Sequence, residues 1–133
     1  MRAFQRRLVE EVTGGGFTCL LTTDARLREL NRQFLAHDYA TDVLSFPAGE
    51  EPDGAVLGGL GDIAISVERA AAQAAAFGHT IEQEIEILML HGALHLLGMD
   101  HENDRGRMAR SESAWRRKLN LPHGLISRAR KRK

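Results

Sequence analysis

The sequence contains a single cysteine, Cys19, so it can close no internal disulfide and build no cysteine-based zinc site. Its apolar runs break at Gln73 and His91, well short of the ~20 residues that a membrane span requires. Met1 is followed by Arg2, Arg6, Arg7, Glu10 and Glu11, with no apolar core of a secretory signal behind it. These gaps lead us to expect a cytoplasmic protein with no membrane association. Net charge is also missing, because 18 Lys+Arg stand against 18 Asp+Glu. That zero is an average of two unlike parts. Residues 1–100 carry 7 basic and 15 acidic side chains, a net of −8, whereas residues 101–133 carry 11 basic and 3 acidic, a net of +8. An asymmetry of this kind points to an anionic partner.

What is present describes one folded unit. A chain of 133 residues with 43% hydrophobic and 27% charged side chains has the composition of a single globular domain. Helical spacing over residues 3–12 stops at the Gly14-Gly15-Gly16 run, and the β-formers of residues 17–23 predict a strand. Asp24 occupies the expected N-cap of a helix carrying Leu27, Leu30, Asn31 and Phe34. Residues 41–46 predict a second strand closed by Pro47, residues 48–61 a glycine-rich loop, and residues 62–66 a third strand. Ser66 is placed to cap an alanine-rich helix over 67–77 that ends at Gly78. Thr80 and Gln83 form a capping box for a helix that runs to Gly98, and a last helix is predicted over about 104–119. Phe77 and Trp115 read as core aromatics. The irregular order of strands and helices favours an α+β fold with a small mixed sheet, one domain over residues 1–126 and a basic, disordered tail over 127–133.

The chemistry concentrates in His91-Gly92-Ala93-Leu94-His95-Leu96-Leu97-Gly98-Met99-Asp100-His101. His91 and His95 are four residues apart on a predicted helix and project from one face. Gly98 can end that helix and return the chain so that His101 reaches the same ion. Three imidazoles and an open fourth position make up a catalytic zinc site. Such a site supplies hydroxide near neutral pH and polarises a carbonyl or phosphoryl oxygen. The same spacing frames the metzincin proteases, which need Glu directly after the first histidine; here that position is Gly92, so peptide hydrolysis is not expected. Asp100 and Glu102 flank His101, where a carboxylate can orient a histidine or move a proton, although each reads first as a solvated loop carboxylate.

The whole pattern, His91-Gly92-x-Leu94-His95-Leu96-x-Gly98-x-Asp100-His101, resembles the signature of the YbeY family of rRNA maturation factors. The resemblance extends to Leu30-Asn31, Asp38, Thr41-Asp42-Val43-Leu44-Ser45-Phe46-Pro47 and Gly61-Asp62-Ile63, and covers residues 17–120. It implies one Zn2+ per chain held by His91, His95 and His101. It also implies endonuclease action on single-stranded RNA in 3′ maturation of small-subunit (16S) rRNA and in ribosome quality control, with the ribosomal small subunit as partner. Two departures stand out. Relatives usually carry an arginine after the aromatic that ends the Leu-Asn helix, where this chain has Leu35 after Phe34; Arg32 or Arg69 are the candidate substitutes, and no catalytic side chain is assigned. The N-terminus is short for the family, which would leave a sheet edge unpaired.

The tail adds Arg128, Arg130, Lys131, Arg132 and Lys133, candidates for phosphate contacts, and Arg105, Arg107, Arg110, Arg116 and Arg117 add charge over the last predicted helix. Two other functions fit the same residues: a ribosome-binding assembly factor with a structural metal, and a metallohydrolase of another substrate class.

Overall fold

Strand β3 (Gly61–Ser66) lies between β1 (Thr18–Thr22) and β2 (Val43–Pro47), parallel to the first and antiparallel to the second. In this computed structural model, residues 2–35, 41–47, 59–99 and 105–122 are described. Around the mixed sheet stand α1 (Arg2–Leu8), α2 (Asp24–Leu35), α3 (Val67–Phe77), α4 (Ile81–Leu96) and α5 (Arg107–Lys118). This is the α+β arrangement expected from the order of elements. None of the described helices is long and apolar enough to cross a membrane. The 127–133 tail lies outside the described residues.

Strand alternation gives the sheet two apolar faces. Ile63 and Ile65, with Cys19 and Val43, meet α4, while Ala64 and Leu44 meet Leu27 and Leu30 of α2. Burial among these apolar neighbours pushes the Cys19 thiol up to about 11, which keeps it un-ionised at neutral pH. The outer edge of β1 has no partner strand among the described residues, and Leu20 and Leu21 there are exposed.

Helix α4 is the centre of the molecule. From Ile87 to Leu94 every residue is buried, as is Leu96, and Ala70 of α3 and Met108 and Ala109 of α5 join the same core. A helix apolar on nearly all sides is one that other elements enclose. Its start is secured by the expected capping box between Thr80 and Gln83, and by a buried pair, His79 Nε2 to Glu84 Oε1 at 2.6 Å. Ser66 caps α3 as expected, accepting from the Arg69 backbone N–H at 3.1 Å.

Three expectations are corrected. Asp24 is not the cap of α2: Thr23 Oγ1 accepts from the Arg26 N–H at 3.2 Å, which leaves the Asp24 carboxylate to accept from Ser66 Oγ and to pair with Arg69 at 3.5 Å. The first helix does not run uniformly to residue 12; it ends at Leu8 and gives way to a π-helical turn over Val9–Thr13. Phe77 is not core. It sits at the end of α3, 37% exposed, and stacks on His79 with ring centroids 6.5 Å apart. Trp115 does pack against the core.

Helix α4 meets the sheet at Gly92. A Cβ there would stand 3.0 Å from Ile63 Cγ2 and 3.1 Å from Ser45 Oγ, and the Ser45 hydroxyl donates to the Gly92 carbonyl at 3.0 Å. Ile63 is fully buried and has no room to yield. Gly92→Ala therefore loses more to overpacking, about 1–3 kcal/mol, than the roughly 1 kcal/mol it gains in helix propensity. Denaturant titration should show a net loss of stability of up to ~2 kcal/mol; a stabilised variant would mean that the contact is loose.

Candidate metal centre

At 100° per residue, positions 91 and 95 lie about 100° and 60° round the helix from position 92, on the same side of it. With Gly92 against the sheet, both imidazoles must leave α4 on one flank. Their rings meet at a centroid distance of 4.8 Å with an interplanar angle of 75°. His91 is buried and His95 is partly exposed, so the pair opens to solvent on the His95 side.

Each ring is held by its Nδ1. His95 Nδ1 lies 2.9 Å from the Met99 carbonyl, an atom that only accepts, so this nitrogen donates. The turn that places this carbonyl is the one the sequence marks with Gly98. Gly98, at φ 89°, lets its own N–H reach the His95 carbonyl at 2.9 Å and the Met99 N–H reach the Leu94 carbonyl at 3.2 Å. His91 Nδ1 lies 2.8 Å from Glu112 Oε2, and Glu112 is 1% exposed, on the inner side of α5. Against an ionised carboxylate that nitrogen also donates.

The consequence is electrostatic. With both Nδ1 atoms donating, the two Nε2 atoms of neutral rings face each other with lone pairs, 3.1 Å apart. Two lone pairs at that distance repel, and a cation between them removes the repulsion. Two nitrogens each 2.0–2.1 Å from a tetrahedral zinc stand roughly 3.3 Å apart. The observed separation fits such an ion, and the Nδ1 partners are those that orient metal-bound histidines.

His101, the third expected ligand, lies outside the described residues, as do Asp100 and Glu102. Among the described residues no three His, Cys, Asp or Glu side chains form a metal-binding group. Of the candidate substitutes for the arginine missing at Leu35, Arg69 is engaged with Asp24 and Arg32 is exposed on α2; the Leu35 side chain itself is outside the described residues. Arg128, Arg130, Lys131, Arg132 and Lys133 are outside them as well. A cavity of about 340 Å³ lined by Leu20, Leu30, Phe46 and Ala64 lies on the α2 side of the sheet and contains no histidine.

Sequence reasoning missed Glu112. The signal was available, because Met108, Glu112, Trp115 and Leu119 follow helical spacing and place one carboxylate on an otherwise apolar stripe. Removing it should loosen the metal without unfolding the site's helix. We expect Glu112→Gln to weaken zinc affinity, measured by chelator competition, about 10-fold and Glu112→Ala 10- to 100-fold. Unchanged affinity in both variants would show that the carboxylate does not orient His91.

Residues 3–120 match the family model described as Endoribonuclease YbeY. A protein of Solibacter usitatus named endoribonuclease YbeY is 64% identical over 126 residues, covering 94% of this chain and 81% of that one. A protein of Koribacter versatilis with the same name is 50% identical over 117 residues, covering 88% and 73%. The solution structure of a Thermotoga maritima protein superposes with a TM-score of 0.56 at 30% identity, covering 86% of this chain and 77% of that one.

Proposed function

The chain belongs to the YbeY family of endoribonucleases, and we propose that it is itself a zinc-dependent endoribonuclease that cuts single-stranded RNA. The observation that carries this reading is the pair of facing Nε2 atoms on His91 and His95, each ring tied down at its Nδ1. His101 completes the ligand set and one zinc is held per chain. When bound, the ion supplies a Lewis acid for a phosphoryl oxygen and lowers the pKa of water to around 7.

The chain's own residues then do the positioning. Glu112 holds His91, the Met99 carbonyl holds His95, and the partly exposed edge of His95 marks the side from which substrate approaches. At Gly92, the place of the metzincin general base, Ile63 and Ser45 leave no room for a side chain. This supports phosphodiester over amide hydrolysis. Arg128, Arg130, Lys131, Arg132 and Lys133 contact phosphates in a salt-dependent way. The biological substrate is small-subunit rRNA, trimmed at its 3′ end and surveyed for quality, with the ribosomal small subunit as partner in the cytoplasm.

Leu35 favours a second reading, in which the protein binds the ribosome as an assembly factor and cleaves weakly or not at all, since an arginine there would stabilise charge developing on phosphate. The two readings separate in one experiment. Zinc-loaded protein is incubated with single-stranded RNA and with peptides, beside His95→Ala. We expect RNA cleavage that falls at least 100-fold in the variant and no peptide cleavage, with about one zinc per chain by elemental analysis. Cleavage equally strong in His95→Ala would refute the metal-dependent activity, and no cleavage together with binding to ribosomal subunits would select the second reading.

A further inference from the structure

Helix α5 has two unlike sides. Met108, Ala109 and Glu112 are buried, and the Glu112 carboxylate reaches His91. Arg107, Arg110, Ala114, Arg117 and Lys118 are exposed, and at 100° per residue these five fall within an arc of about 100° on the opposite side. The exposed arc thus holds four cations, one alanine and no carboxylate. On other elements three arginines have carboxylate partners: Arg7 with Glu11 at 2.6 Å, Arg26 with Glu29 at 3.0 Å and Arg69 with Asp24 at 3.5 Å. For the exposed cations of α5 the contacts among the described residues are of another kind. Arg110 Nη1 donates to the Arg105 carbonyl at 3.2 Å, and Lys118 Nζ lies 4.9 Å from the Trp115 ring centroid.

The placement runs against what the helix alone would choose. Basic residues in the last turn suit the negative end of the helix dipole, which accounts for Arg117 and Lys118. Arg107 is the first residue of α5, at the positive end, where there is no acidic residue in the first turn and the cap, Gly106, offers no side chain. Arg107 and Arg110, at i and i+3, also repel each other. An anion from outside the fold removes both costs.

We infer that the outer face of α5 is a binding surface for the phosphate backbone of single-stranded RNA. The choice of RNA rests on the reading of the chain as a ribonuclease; the surface itself does not. Three of the four cations are arginines, whose planar forks match phosphate oxygens. From Arg107 to Lys118 the helix rises about 16 Å, the length of on the order of four to five stacked nucleotides at 3.4 Å each. A lipid surface fits less well, because a helix that lies in a membrane interface needs a free apolar face, and that of α5 is buried against α4. In sequence the N-terminal end of α5 follows His101 by six residues.

The test is the salt dependence of binding, read by fluorescence anisotropy with a fluorescein-labelled uridine 20-mer at 50–300 mM KCl. The full-length chain carries His95→Ala throughout, so that the RNA stays intact and the result is independent of cleavage. Arg107, Arg110, Arg117 and Lys118 are changed together to Gln, and the control changes Arg2, Arg6, Arg26 and Arg28 to Gln, removing the same charge elsewhere. We expect the α5 variant to bind at least 10-fold more weakly at 100 mM KCl. Its slope of log affinity against log salt should be shallower by about 0.7 for each lost phosphate contact, a total of roughly 2 to 3. The control should keep a near-parental slope. Equal losses in both variants would reduce the effect to net charge and overturn the proposal, as would an unchanged slope in the α5 variant. Vesicles of phosphatidylserine and phosphatidylcholine at 30:70 form a parallel arm, and α5-dependent binding to them matching that to RNA would overturn the assignment to RNA. If the fourfold variant melts early, Arg107→Gln with Arg110→Gln serves instead, with an expected slope change of about 1.4. Failure of the zinc-loaded parental chain to cleave RNA, together with the α5-dependent slope in the His95→Ala background, would refute the proposed activity and leave this surface standing.

Discussion

The contact between Gly92 and the sheet is the constraint from which the site follows. A helix that touches Ile63 Cγ2 and Ser45 Oγ at the distance of a missing methyl group has no freedom to rotate about its axis. Its register is fixed further by the Ser45 hydroxyl on the Gly92 carbonyl. Because α4 is buried along most of its length, α3 and α5 must pack to suit it, and the sheet supplies the flat surface it lies on. The absence of a side chain at position 92 is thus a packing requirement, and it also removes the catalytic base that a protease with this histidine spacing would need.

Once α4 is fixed, the remaining freedom is that of two imidazole rings, and two different devices remove it. The Gly98 turn sends the Met99 carbonyl back to His95, a local solution made by six residues of chain. His91 is held from another helix by Glu112, a buried carboxylate that α5 carries inward while its outer face carries arginine. Such a carboxylate is costly to bury without a partner. The His91 Nδ1–H gives it one.

Much of this was legible in the residues, and what was legible shares a feature. The His91/His95 pair, the Gly98 stop, the Ser66 cap and the Thr80–Gln83 capping box all depend on neighbours within about five positions, where spacing alone determines geometry. The misses depend on contacts distant in sequence. Asp24 looked like a cap because Asp commonly is one, yet Ser66 and Arg69, more than 40 residues away, claim its carboxylate and leave the cap to Thr23. Glu112 is 21 residues from His91, and only the packing of α5 on α4 brings them together. Phe77 reads as core by type, but it falls at the exposed end of its helix. The zero net charge is the same lesson at the scale of composition, since it averages an acidic body with a basic end and conceals the charge on one side of α5.

The central claim is that His91 and His95 both present Nε2 to one cation because both Nδ1 atoms are committed elsewhere. It is tested most directly by long-range 1H–15N NMR of the protein labelled at its histidine ring nitrogens, recorded before and after addition of one equivalent of zinc. The account predicts that both rings carry their proton on Nδ1 in the metal-free protein at alkaline pH. On adding zinc, the Nε2 resonances of both should move while the Nδ1 protons stay in place. A ring that binds zinc through Nδ1, or an Nε2 resonance of either histidine that does not respond to the metal, would contradict it.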